Sequence, residues 1–124
     1  MMSLETYKVL HVLAVLLAFA TLGGLALTVA NGATKSTTSV RRLIAITHGV
    51  ATLIILIGGF GALAHLDVGH ESLPGWVLVK LACWIGLAVL VAVPYRRPAL
   101  ARAVFWSLPV LGFIAVIMAV YKPF

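Results

Sequence analysis

The sequence predicts an all-α integral membrane protein, a four-helix bundle of up-down-up-down topology with both termini outward. Three observations lead there. Of 124 residues, 63% are hydrophobic and only 10% charged, with a mean hydropathy of +1.16, against roughly 45–50% and 25% in soluble domains. The apolar residues fall in four long runs, at about 7-30, 43-66, 76-93 and 100-121. Short polar connections separate them. A bilayer core about 30 Å thick takes roughly 20 helical residues to cross, so four crossings use about 80 residues. That leaves no room for a second domain within 1-124.

The first run, Tyr7 to Ala30, exceeds the roughly 7–15 apolar residues of a signal-peptide core and is expected to be a retained helix. Asn31 to Arg42 follows, with an Asn-Gly pair and a Ser/Thr cluster, both turn-forming. The second helix is Leu43 to Leu66, and Asp67 to Gly75, containing Asp67, Glu71 and Pro74-Gly75, connects it to the third, Trp76 to Val93. Pro94 to Pro98 is a proline-bracketed Tyr-Arg-Arg turn before the fourth helix, Leu100 to Tyr121. Helices joined this tightly must run antiparallel.

Orientation follows from the cations. The chain has 9 Lys+Arg against 3 Asp+Glu, a formal charge of +6. Lys35, Arg41, Arg42, Arg96, Arg97 and Arg102 fall at one end, whereas Lys8, Lys80 and Lys122 share the other with Glu5, Asp67 and Glu71. The first end is expected in the cytoplasm, which places both termini in the periplasm of a bacterial inner membrane. In such a chain the basic excess reports orientation and not nucleic-acid binding. A single Cys rules out a disulfide framework and a multi-Cys metal or Fe–S site.

Ionisable groups inside apolar spans are expensive, so function is the default hypothesis for them. The candidates are His11, His48, His65 and Lys80. His11 lies four residues after Tyr7 and Lys80 four after Trp76, so each sits one turn, about 6 Å, inside an outward aromatic. His65 ends the second helix at the same level, with His70 in the adjoining loop. His48 lies near the cytoplasmic end, roughly 20 Å or more away by the same rise. On the face of His11 come Ala14, Ala18 and Thr21, a small-residue stripe suited to close helix contact. On the face of Lys80 come Cys83, Trp84 and Leu87. Gly58, Gly59, Gly61 and Ala62 would let a neighbouring helix, or the flat face of a macrocycle, approach the second helix.

Structural alternatives stand beside each of these. His11 serves equally as an interhelical hydrogen-bonding group, and Lys80 as a snorkelling interfacial lysine. His65 and His70 suit an interface and a loop. His48, beside Thr47, suits either a helix start or a second site. Cys83 suits a small hydrophobe, and the terminal Trp and Tyr residues an aromatic belt.

No Ser-His-Asp set, glycine-rich phosphate loop or HExxH is present, and the acids are confined to the outer edge, which removes hydrolytic and nucleotide chemistry. No CxxCH motif is present, so any haem would be non-covalent. An imidazole inside an apolar bundle with a cationic neighbour suits axial ligation of haem b, or a porphyrin whose propionates meet Lys80.

At Tyr7-Lys8-Val9-Leu10-His11, Trp76-Val77-Leu78-Val79-Lys80-Leu81 and Tyr121-Lys122-Pro123-Phe124 the chain resembles the small four-helix membrane proteins around HemJ-type protoporphyrinogen oxidase. That resemblance implies a haem protein and a HemJ-like oxidoreductase in which the first-helix His and third-helix Lys are required, roles that map onto His11 and Lys80. Thr47-His48-Gly49-Val50-Ala51-Thr52 is similar to the start of the second helix in SirB-like membrane proteins.

The leading expectation is therefore a protein that binds haem b or a porphyrin in the outer half of the bundle, with His11 as iron ligand and Lys80 in the reaction. Its function would be porphyrinogen oxidation or electron transfer to quinone. His65 and His48 are further candidate contacts. The alternative is a non-catalytic accessory subunit packing within a larger membrane complex, or a homo-oligomer, held by its Ala, Gly, Val and Leu surfaces. A transporter or channel is disfavoured, because no inverted repeat or ring of acids is visible.

Overall fold

The computed structural model describes residues 3–65 and 73–123. Within them the chain forms α1 (Leu4–Ala30), α2 (Arg41–Ala64), α3 (Gly75–Leu90), a single turn α4 (Val93–Arg96), a 3₁₀ turn (Pro98–Leu100) and α5 (Ala101–Tyr121). No strand is present among the described residues.

Local chemistry sets the helix ends. Ser3 caps α1, its hydroxyl accepting the Thr6 N–H at 3.2 Å, and Glu5 in the first turn complements the helix dipole. These two residues carry the helix three residues before Tyr7, where the apolar run begins. After Ala30 the backbone turns through Gly32 at φ +102°, a conformation that favours glycine. Thr34 organises the connection, its carbonyl accepting the Thr38 hydroxyl at 2.6 Å and its N–H donating to Thr37 Oγ1 at 2.8 Å. α2 then opens on Arg41 and Arg42 without a side-chain cap. Cations at that end oppose the dipole by a few tenths of a kcal/mol each, so they are not there to stabilise the helix.

α3 ends at Leu90, before Val93 where the apolar run ends. Pro94 has no N–H to extend the helical ladder, and it begins the separate turn α4 instead. α1, α2 and the stretch from Pro98 to Tyr121 are long and apolar enough to cross a membrane. α3, with 16 residues, spans only about 24 Å.

Neighbouring helices run antiparallel. On α1 and α2, Tyr7 lies against Gly61 and His65, and His11 against Ile55 and Gly58. On α1 and α5, Phe19 meets Gly112 while Leu108 meets Gly23. On α3 and α5, Lys122 lies over Trp76 and Leu111 meets Gly86. α2 and α3 close the ring with the sparsest packing of the four pairs, fastened where Trp84 Nε1 donates to the Thr52 carbonyl at 2.8 Å. The core is a stripe at helical spacing: Ala14, Ala18, Leu22, Leu25 and Val29 on α1, facing Ala51 and Ile55 of α2 and Val104 and Leu108 of α5.

The outward faces are as apolar as the core. On α5 the exposed residues include Trp106, Val110, Phe113, Val116 and Val120. α1 exposes Val9, Leu13 and Leu16, and α2 exposes Leu43, Ile46, Leu53 and Ile57. A soluble monomer rarely shows contiguous apolar surface beyond a few hundred Å². Helices apolar on every face match a hydrocarbon solvent.

Candidate functional site

All four long helices line a cavity of about 370 Å³, half-enclosed, in the end of the bundle formed by the start of α1, the end of α2, the start of α3 and the end of α5. His11 and Lys80, placed in one layer by the sequence, both line it. Its depth is apolar, with Phe19, Trp84, Leu87 and Leu111 among the walls. Cys83 also lines it, as expected from the face it shares with Lys80.

Glycines position His11. A Cβ at Gly58 would come within 3.3 Å of the His11 Cα and N, and one at Gly59 within 3.4 Å of the ring Nδ1; at Gly61 it would collide with the Tyr7 ring. Of the two partners the glycine run admits, a helix or a macrocycle, it is α1 that occupies it. This close approach lets His11 Nδ1 reach the Ile55 carbonyl of α2 at 2.8 Å.

That hydrogen bond fixes the tautomer. A carbonyl only accepts, so Nδ1 carries a proton, and in the neutral imidazole Nε2 then keeps its lone pair. A backbone carbonyl holding the far nitrogen is the usual support of a metal-ligating histidine. Among the described residues no three His, Cys, Asp or Glu side chains gather as a metal site. A single imidazole nevertheless suffices as the protein ligand of a haem.

The other candidates lie elsewhere. His65 is exposed, its Nδ1 bonded to the Gly61 carbonyl at 2.9 Å and its ring 5.4 Å from Tyr7, and it does not line the cavity. His48 is buried at 3% exposure, with Nε2 lacking a hydrogen-bond partner among the described residues, and it also lies outside the cavity lining. His70, Asp67 and Glu71 fall outside the described residues.

Two further lysines, Lys8 and Lys122, which the sequence presents only as charges, also line the cavity. Lys8 is three residues before His11 and so shares its face, a signal present in the sequence. Lys122 could not be placed that way. It ends α5 in a left-handed conformation (φ 48°, ψ 56°), its N–H bonded to the Met118 carbonyl at 3.2 Å, and its Nζ stands 5.3 Å from the centre of the Trp76 ring. The cavity thus combines an apolar body with Lys8, Lys80 and Lys122, and among the described residues its lining includes no Asp or Glu.

No protein-family model matches this chain, and neither a curated protein nor a solved structure matches it.

Proposed function

We propose that the chain is a bacterial inner-membrane protein, its cytoplasmic end marked by the six cations Lys35, Arg41, Arg42, Arg96, Arg97 and Arg102. Its outer cavity binds a b-type haem or a related porphyrin, for porphyrinogen oxidation or electron transfer to quinone. The observation that carries this reading is the His11 Nδ1–Ile55 carbonyl bond of 2.8 Å, which in the neutral imidazole leaves Nε2 as the ligand nitrogen of a residue lining an apolar cavity shared with Lys80. A bound haem supplies one-electron redox chemistry. His11 provides the ligand nitrogen and holds its orientation through α2. Lys80 provides a cation for a propionate, or a proton donor at the rim. Phe19, Trp84, Leu87 and Leu111 exclude water from the depth of the site. The likeness of the Tyr7–His11 and Trp76–Leu81 segments to HemJ-type proteins points the same way.

Absorbance spectra of detergent-purified protein, oxidised and reduced, test it. The wild type, expressed with ample haem, should show a Soret band that His11→Ala abolishes while far-UV circular dichroism stays helical. A colourless wild type that copurifies stoichiometrically with larger membrane proteins would overturn the reading in favour of an accessory subunit. An unchanged band in His11→Ala would remove the ligand role.

A further inference from the structure

We propose that Lys122 is an anion anchor of the cavity and, with Lys8 and Lys80, selects an occupant that brings two carboxylates to the mouth of an apolar pocket. The proposal rests on the tetrapyrrole reading above and names the chemical feature of the ligand that the site recognises. Three observations carry it. The lysines from the start of α1, the start of α3 and the end of α5 line one cavity whose lining, among the described residues, contains no Asp or Glu. Lys122 Nζ stands 5.3 Å from the centre of the ring of Trp76, which lines the cavity together with Lys80, so two ammonium groups border the same space, an arrangement that anionic ligand groups would favour. Lys122 also occupies a left-handed helix end, where glycine is the usual residue because it has no Cβ to crowd the backbone.

That backbone conformation matters because of where it sends the side chain. Instead of continuing α5 outward, Lys122 folds back over Trp76, itself buried and part of the cavity wall. The aromatic face holds the ammonium by cation–π attraction without neutralising it. A snorkelling lysine needs only to reach water, and neither the left-handed backbone nor the Trp76 contact serves that purpose. Both serve to keep a positive charge over the cavity.

The test is a titration of the full chain in detergent with protoporphyrin IX and, separately, its dimethyl ester, which has the same macrocycle without the acids. The wild type should bind the diacid about tenfold or more tightly than the diester. Lys122→Met should remove most of that preference by weakening only the diacid, and Lys122→Arg should keep it. Lys122→Gly suits the left-handed backbone, so it should lose the preference as Met does while the thermal midpoint holds or rises. Equal affinity of the wild type for both ligands, or equal loss of both in Lys122→Met, would overturn the anchor while leaving the tetrapyrrole reading intact. If neither ligand binds the wild type, the tetrapyrrole reading itself falls and the anchor with it.

Discussion

Gly58→Ala probes the fit of α1 on α2 most directly. The added methyl would stand 3.2 Å from His11 Cβ and 3.3 Å from His11 Cα and N. Two of those atoms are backbone, so no rotation of a side chain relieves the contact. Ordinary carbon–carbon separation is about 3.5–4.0 Å, and the helices must therefore part by a few tenths of an ångström. Overpacking of this kind costs about 1–3 kcal/mol. Replacing glycine by alanine in a helix interior offsets about 1 kcal/mol of it. Gly49→Ala is the control on the same helix: nothing lies within 4 Å of its added methyl, so only the favourable contribution operates. The two variants should differ by about 1–3 kcal/mol, Gly58→Ala being the less stable. Unfolding in mixed micelles with increasing denaturing detergent, followed by circular dichroism, measures the difference. Parting the helices also stretches the His11–Ile55 bond from 2.8 Å, so Gly58→Ala should weaken porphyrin binding where Gly49→Ala leaves it unchanged. Equal stabilities for the two variants would refute the claim that this glycine sets the interhelical distance.

Three further outcomes are expected. Lys80→Met should severely weaken tetrapyrrole binding, and Lys80→Arg then separates the roles: retained binding means propionate pairing, and loss means amine ligation or proton transfer. If both variants keep native spectra and stability, Lys80 is an interfacial anchor only. Trp84→Phe removes the 2.8 Å bond to the Thr52 carbonyl and should lower stability by about 0.5–1.5 kcal/mol, read from the same detergent unfolding; an unshifted midpoint would show that this bond does not fasten α2 to α3. Alkaline phosphatase fused after Phe124 should be active and a fused green fluorescent protein dark, with the reverse pattern inverting the proposed orientation.

The sequence makes the helices legible because a hydrocarbon solvent demands long apolar runs, and proline, glycine and charge punctuate them. The meeting of His11 with Lys80 was legible for a related reason: Tyr7 and Trp76 act as depth markers, and a fixed rise per residue converts spacing into level. Side-chain direction at a helix end has no such ruler. Lys122 reached the cavity through a single left-handed residue before Pro123, which periodicity does not encode. The glycine run illustrates a different gap. Its openness to close approach was readable, but that Tyr7 and His11 fill the space depends on which helix packs there, a tertiary fact. The end of α3 at Leu90 reflects a proline four residues on, outside the apolar pattern itself.

With the chain inserted as proposed, the shortness of α3 has a consequence for the surrounding lipid. At about 24 Å it falls some 6 Å short of a typical hydrocarbon core, whereas α1 and α2 have 27 and 24 residues. A bilayer accommodates such a mismatch by thinning locally, at a fraction of a kcal/mol per ångström, so the dimple would form on one flank of the bundle only. That flank adjoins the sparse α2–α3 seam and the cavity wall formed by Trp76, Lys80 and Trp84. Thinned lipid there would draw headgroups and water toward the ammonium of Lys80 and shorten the path by which an amphiphile slides sideways from the leaflet into the bundle. The proposed tetrapyrrole binding should then depend on acyl-chain length in reconstituted vesicles, rising as the bilayer thins.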